Sequence, residues 1–128
     1  MSKEKEAIGR LTDETWATEN ECGSVERTLE YQTSQGLKKV LVKAKVLSGS
    51  DTRTLEVKHT HEVDVGNLKL DTEGYIIDLI RTTYGLTEEQ YTNICDNKPG
   101  DLISKMRTLA MELNGLAMED QEIEKEKK

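Results

Sequence analysis

The chain has 128 residues, which is the size of one ordinary domain. Only 34% of its residues are hydrophobic and Phe is absent, so the sequence predicts a small core. Acidic residues outnumber basic ones by 25 to 18, which gives a formal net charge of −7 and argues against a nucleic-acid-binding protein. The lysines from Lys38 to Lys45 are expected to lie on a solvated strand face.

Composition also divides the chain into three parts. Residues 1–24 are polar and charged, and they are expected to form a flexible arm with Trp16 as an anchor. Residues 25–118 are expected to form a single domain, and residues 119–128 a charged, disordered tail. No apolar run reaches the length of a membrane span or of a signal peptide, so the sequence predicts a cytoplasmic protein.

Three runs in the first half of the domain predict β-strands. The first run starts at Val25 and ends at the turn around Gly36, and the second follows from Leu37 with alternate apolar residues. A turn at residues 48–51 precedes the third run, residues 54–65, which has the longest apolar–polar alternation. Three strands joined by short turns predict an antiparallel β-meander.

The second half shows the capping signals of three helices. Asp71 is the predicted N-cap of the first helix, and Gly85 stands where a glycine ends a helix. Thr87 and Gln90 have the spacing of a capping box at the start of the second helix. Asp101 is the predicted cap of the third. The predicted fold class is therefore α+β, an antiparallel β-meander followed by three helices packed on it.

The sequence contains no arrangement typical of a catalytic or metal site. His59 and His61 would share the apolar face of the third strand, but two histidines do not complete a zinc site without Cys22 or Cys95. The serines lie outside any nucleophile elbow, and the glycines are scattered at turns rather than gathered in a phosphate loop. We therefore predict no enzyme, no catalytic residue, no metal and no cofactor.

The last helix offers candidate contacts with a partner protein. Its apolar stripe includes Met106 and Leu113, which are expected to pack on the sheet. Leu116 and Met118 follow Gly115 and are harder to place in that core, and methionine adapts readily to varied surfaces. These four apolar residues are the predicted partner-binding set.

Residues 74–115 resemble the tail assembly chaperones of long-tailed bacteriophages, small acidic proteins with a β-rich first half and a helical second half. The resemblance implies a non-enzymatic protein that self-associates and binds the tape-measure protein and tail-tube subunits in the host cytoplasm. The matching stretches are Tyr75-Ile76-Ile77-Asp78-Leu79-Ile80, Gly85-Leu86-Thr87-Glu88-Glu89-Gln90 and Gly100-Asp101-Leu102-Ile103.

Two other functions are compatible with the sequence. One is a small acidic phage or bacterial regulatory protein that inhibits a host protein by surface binding. The other is a small metal-dependent enzyme that uses His59 and His61.

Overall fold

The computed structural model of the chain describes residues 8–115. The elements follow in the order α1 (Glu14–Thr18), β1 (Gly23–Thr33), β2 (Gly36–Val46), α2 (Gly49–Lys58), β3 (Thr60–Asp64), β4 (Asn67–Leu70), α3 (Thr72–Tyr84), α4 (Glu88–Asn97) and α5 (Gly100–Asn114). This arrangement confirms the predicted α+β class.

The first two predicted strands form an antiparallel hairpin. Thr33 pairs with Gly36 across a two-residue turn, and Gly36 has a φ of 112°, a conformation that side-chain-bearing residues rarely adopt. Alternation along both strands then places Leu29, Tyr31 and Ala44 in the core and most of the charged residues on the outer face.

The predicted third strand is wrong over most of its length, so the sheet is not a three-stranded meander. Residues 49–58 form helix α2, which begins because the Ser48 side chain accepts a hydrogen bond from the Asp51 N–H at 3.1 Å. The apolar–polar alternation of residues 54–65 does not correspond to burial, since Leu55 is buried while Val57 is 62% exposed. His59 ends this helix and His61 lies in β3, so the two histidines do not share a strand face.

A second, separate hairpin follows α2. Strands β3 and β4 pair with each other around Gly66, which has a φ of 80°. They form their own two-stranded sheet, and almost all of their residues are exposed. Three large apolar side chains on this hairpin are exposed, namely Val63 (52%), Val65 (98%) and Leu68 (72%).

The three predicted helices are present, with one correction to their caps. The Asp71 side chain caps α3, Gly85 ends it in the left-handed conformation, and Thr87 and Gln90 form the complete capping box of α4. Asp101 does not cap α5, because the helix begins two residues earlier than predicted, with Pro99 as the N-cap. The Asp101 carboxylate instead contacts strand β1.

The predicted N-terminal arm is described from residue 8 onward. It contains one short helix, α1, whose N-cap is Asp13, and no residue of that helix is buried. The Trp16 indole lies against Gly9, so this anchor contacts the arm's own backbone. Residues 1–7 of the predicted arm and the predicted tail, residues 119–128, lie outside the described residues.

The core lies between the first hairpin and helices α3 and α5. The larger cluster joins Leu29, Tyr31 and Ala44 of the hairpin to buried residues of the two helices, which are Ile76, Ile80, Leu102, Met106, Leu109 and Ala110. A smaller cluster joins Leu47 and Leu55 to Tyr75 and Leu79 of α3. Helix α3 therefore belongs to both clusters and connects α2 to the hairpin.

A buried carboxamide links the end of α5 to the end of β2. Asn114 accepts a hydrogen bond from the Leu47 N–H at 2.7 Å and donates one to the Lys45 carbonyl at 3.2 Å. It also donates to the Thr83 hydroxyl at 3.1 Å. The carboxamide thereby pairs with the outer edge of β2 as a peptide group of a neighbouring strand would.

We expect Asn114→Ala to lower the free energy of unfolding by about 2–3 kcal/mol, because it leaves the buried Leu47 N–H and Lys45 carbonyl without a partner. Urea unfolding followed by circular dichroism measures this change. Asn93→Ala, at an exposed position of α4, is the control and should change stability by less than about 0.5 kcal/mol. Equal effects of the two substitutions would contradict the role given to Asn114.

Candidate partner-binding cleft

An apolar cavity of about 300 Å³ opens between strand β2 and helix α4. We call it the β2–α4 cleft. Its size is at the lower end of the range of protein ligand sites. The lining side chains are Tyr31, Val40, Val42, Lys43, Tyr84, Leu86, Ile94, Lys98, Leu102 and Met106.

The turn between α3 and α4 holds one wall of the cleft in place. Gly85 reverses the chain, and the Leu86 N–H then donates to the Arg81 carbonyl at 2.8 Å. The Arg81 guanidinium reaches the Leu86 carbonyl in turn, at 3.4 Å. With the capping box following at once, the direction of α4 and the position of Ile94 are fixed by local hydrogen bonds.

The floor of the cleft is held by Tyr84. Its hydroxyl donates a hydrogen bond of 2.7 Å to the Met106 carbonyl, which joins α3 to α5 beneath the cavity. Burial raises the pKa of Tyr84 well above its ordinary value, so the hydroxyl stays protonated as a donor at physiological pH. The ring therefore serves as an apolar surface with its polar end already occupied.

Lysines mark the rim of the cleft. Lys43 on β2 and Lys98 after α4 both line it, and Lys98 is shared with a second, more polar cavity of about 520 Å³. The second cavity also includes Lys38, the turn between β1 and β2, and one acidic residue, Asp96. Although the whole chain is acidic, this face therefore combines an apolar interior with positive charge.

The two outer edges of the hairpin differ in how they are covered. The Gln32 N–H on the outer edge of β1 donates to the Asp101 carboxylate at 2.9 Å, and the Lys105 ammonium donates to the Glu30 carbonyl at 2.6 Å. The Gln32 hydrogen bond, followed by that from Lys105, lowers the pKa of Asp101. Helix α5 thus covers the turn end of β1 with two side chains.

The predicted partner-binding residues fall in different places. Met106 lines the β2–α4 cleft and is only 4% exposed, so it contributes to the floor more than to the open surface. Leu113 is half-buried and packs against the main core two turns further along α5. Leu116 and Met118 lie outside the described residues.

The rest of the cleft was missed by the sequence reasoning. Val40 and Val42 were predicted to share one face of the second strand and Ile94 to lie in the second helix, while Leu86 precedes the predicted cap Thr87; none of them was predicted to line a site. The first sheet has only two strands, β1 and β2, and these are too narrow to cover helices α3, α4 and α5. Recognising a two-stranded sheet in the sequence would have predicted an uncovered apolar surface beside β2. The wrongly predicted third strand would have covered that surface, so the cleft was not expected.

His59 belongs to a charged cluster between α2 and α3. Its Nε2 lies 2.9 Å from the Asp78 Oδ2, and the Lys58 ammonium lies at the same distance from that oxygen. The ring also faces Gly74, where a Cβ would come within 2.9 Å of Nδ1. Within residues 8–115 no group of three or more His, Cys, Asp or Glu side chains is arranged to hold a metal ion.

Comparisons with known proteins identified no relative of this chain. No family model, curated protein or solved structure matches the chain. Among the helices of residues 8–115, none has the length and apolar character needed to cross a bilayer.

The Asp78 cluster predicts a defined pH dependence of stability. Burial raises the pKa of Asp78, but the hydrogen bonds from Lys58 and His59 and their charges outweigh it and lower the pKa below its ordinary value. A lowered pKa in the folded state gives stability that is present above the unfolded pKa, about 3.9, and is lost as the pH falls through the folded pKa.

We therefore expect Asp78→Asn to cost about 1–2 kcal/mol at pH 7, and the difference from the wild type to shrink below about pH 4. Urea unfolding between pH 3 and pH 7 measures it. Asp64→Asn, on the exposed β3 strand, should leave the pH profile unchanged. A constant difference between Asp78→Asn and the wild type across that range would contradict the assignment.

Proposed function

We propose that this chain is a non-enzymatic binding protein, a bacteriophage tail assembly chaperone that binds the tape-measure protein and tail-tube subunits in the host cytoplasm. The observation that carries the binding role is the β2–α4 cleft, an apolar cavity beside the first hairpin, whose two strands belong to the main core. The assignment to tail assembly rests on the resemblance of residues 74–115.

The chemistry of the cleft suits a polypeptide ligand. Val40, Val42 and Ile94 offer apolar contact, and the charged residues that line the cavity are Lys43 and Lys98. Such a surface can bury apolar side chains of a client while its rim attracts acidic ones. A holdase needs an apolar surface to shield the apolar segments of its client, and a charged rim helps it to bind a soluble, charged client.

The charge of the rest of the chain supports the same role. A net charge of −7 on a domain of this size favours solubility and opposes non-specific association of loaded complexes. Among residues 8–115 no acidic residue lines the cleft itself, whose rim carries Lys43 and Lys98. The chain can thereby bind a client at the cleft, while the negative charge of its other surfaces repels other copies that carry clients.

Self-association, which the resemblance also implies, has a candidate surface in the β3–β4 hairpin. Val63, Val65 and Leu68 are all more than half exposed on a hairpin that pairs only with itself within the described chain. Several large apolar side chains exposed on one hairpin of a small domain are typical of a contact with another protein. We propose that this hairpin joins copies of the chain and leaves the cleft to the client.

The binding role can be tested by co-expression with the tape-measure protein of the same phage. We expect the wild-type chain to keep the tape-measure protein in the soluble fraction, and Ile94→Asp to abolish this because a carboxylate cannot be desolvated cheaply in the cleft. Asn93→Asp adds the same charge at an exposed neighbouring position and is the control. Soluble yield by quantitative immunoblot is the measurement.

Lys98→Glu is a second variant that alters only the rim, and thermal unfolding confirms that each variant is folded. Undiminished yield with both Ile94→Asp and Lys98→Glu would exclude the cleft. A gene that lies away from tail-tube and tape-measure genes would favour the regulatory alternative over the chaperone.

The self-association surface gives a separate expectation. Val65→Asp combined with Leu68→Asp should reduce the average mass measured by light scattering, because two charges would be forced into an apolar contact. Ile8→Asp with Leu11→Asp, at positions 82% and 84% exposed, adds equal charge elsewhere and should not change the mass. A wild-type chain that is strictly monomeric at high concentration would remove the proposal.

A further inference from the structure

We infer that the outer edge of β2, from Leu37 to Lys43, binds an extended acidic segment of the partner protein, which joins the first hairpin as a third strand. This inference rests on the proposed partner binding at the β2–α4 cleft, and it does not depend on the assignment to phage tail assembly. It specifies the conformation of the bound segment and the side chains that it must carry.

The backbone of β2 provides the first argument. In the hairpin register the odd-numbered residues of β2 direct their N–H and carbonyl groups away from β1, as the hydrogen bond from Asn114 to the Lys45 carbonyl shows. Asn114 pairs with this edge at Lys45 and Leu47 only. For Leu37, Lys39, Leu41 and Lys43, no hydrogen bond from residues 8–115 reaches the outward backbone groups.

A strand edge of this kind is a template for pairing with another chain. The Asn114 carboxamide already occupies the position of one peptide group of that missing strand, at the end of β2 nearest α5. An added strand would continue along the edge from there toward Leu37. The outer edge of β2 is therefore hydrogen-bonded by Asn114 at one end, and its backbone groups are available for pairing along the rest.

The side chains on the edge determine which segment fits. Lys39 and Lys43 stand two positions on either side of Leu41, which is 64% exposed, on the outer face of the hairpin. Directly opposed cross-strand pairs are favourable when charges are opposite and unfavourable when they are alike. A segment with acidic residues opposite the two lysines and an apolar residue opposite Leu41 satisfies all three.

The inner face of the added strand would meet the β2–α4 cleft. Val40 and Val42 belong to the inner face of β2 and line the cavity, with Ile94 on its opposite wall. Alternate side chains of the added strand point to that side. These side chains should be apolar, so the bound segment is apolar except at the two positions opposite Lys39 and Lys43, which are acidic.

A second copy of this chain fits the edge poorly. Pairing two β2 edges about a two-fold axis at Leu41 would place Lys39 of one copy opposite Lys43 of the other, at both ends of the contact. The β1 edge carries acidic residues such as Glu26, but Asp101 and Lys105 of α5 occupy it at Gln32 and Glu30. The charges therefore favour a different, acidic chain.

A partner helix in the cleft is also less favourable than a strand. A helix satisfies its own backbone hydrogen bonds, so it would take the outward groups of Lys39, Leu41 and Lys43 out of water without replacing those bonds. Each such buried, unpaired group costs free energy, whereas an added strand pairs with them. The open edge and the cleft beside it are thus used together only by an extended segment.

The test uses a seven-residue peptide, Val-Glu-Val-Val-Val-Glu-Val, acetylated and amidated at its ends and labelled with fluorescein, which we call the Glu–Val peptide; in the matching Lys–Val peptide both Glu residues are Lys. Fluorescence anisotropy with the full chain measures its binding. We expect binding of this peptide and at least about tenfold weaker binding of the matching Lys–Val peptide. Equal binding of the two peptides, or none of the Glu–Val peptide, would overturn the inference.

Two proline substitutions separate the two edges. Leu41 and Thr28 face each other in the hairpin, and both direct their N–H groups outward, on β2 and β1 respectively. Leu41→Pro removes a donor that only the added strand uses, so binding should weaken about tenfold or more, while Thr28→Pro should bind as the wild type does. Thermal unfolding confirms that both variants are folded, and equal effects on binding would contradict the assignment to β2.

A charge reversal tests the lysines without altering the backbone. Lys39→Glu combined with Lys43→Glu should bind the Lys–Val peptide in preference to the Glu–Val peptide. Lys69→Glu, on the exposed strand β4, should keep the original preference. An unchanged preference in the double variant would exclude the row of lysines as the recognition element.

Amide hydrogen exchange of the isotope-labelled protein identifies the occupant of the edge. The amides of Lys39, Leu41 and Lys43 should exchange rapidly in the free protein and become protected when the Glu–Val peptide is added. Protection before the peptide is added would mean that a second copy or residues 116–128 already cover the edge, which would overturn the inference.

The co-expression assay distinguishes this result from a failure of the proposed function. If Ile94→Asp loses the client while Leu41→Pro keeps it, the cleft binds its partner in another way. In that outcome the binding role stands and strand addition is excluded.

Discussion

The whole fold depends on the docking of a two-stranded hairpin onto helices α3 and α5. An isolated two-stranded hairpin is at best marginally stable in water, because it buries little apolar surface. Here Leu29, Tyr31 and Ala44 obtain their burial only from the helices beneath them. The polar contacts at the two ends of α5, through Asp101 and Asn114, hold the hairpin in one register on that helical layer.

This dependence explains why one edge of the hairpin is protected and the other is open. Helix α5 runs along β1 and covers part of its edge with Asp101 and Lys105, whereas Asn114 supplies its hydrogen bond to the outer edge of β2. Helices α3 and α4 meet at Gly85, and the space left beside β2 becomes the cleft. The binding surface is therefore a direct result of supporting a narrow sheet with a wider helical layer.

The sequence predicted the helical half well because the signals there are local. Asp71, Gly85 and the pair Thr87 and Gln90 determine helix ends through contacts within a few residues, and the structure has each of them as predicted. The error over residues 54–65 arose because alternation of apolar and polar residues was taken as burial. Ser48 and Asp51 form an N-cap whose local hydrogen bond competes with that pattern and determines the structure there.

The cleft and the buried Asn114 could not have been predicted in the same way. In the sequence, Asn114 looks like an ordinary polar residue at the end of a helix. Its hydrogen-bond partners, Lys45 and Leu47, lie 67 to 69 positions earlier in the chain. The cleft likewise depends on the absence of a third strand from the sheet. Both features follow from tertiary geometry that no short stretch of sequence contains.

The same separation along the chain sets the order in which the protein can fold during synthesis. The hairpin leaves the ribosome well before α5, and the contacts that fix it to α5 span 67 to 75 residues. Loop closure over that distance must precede any gain from the contact. The first hairpin can pack against α3 once residue 84 has been made, but the part of its apolar face that α5 covers stays exposed until residue 114 follows. The helix synthesised last among the described elements therefore completes the domain.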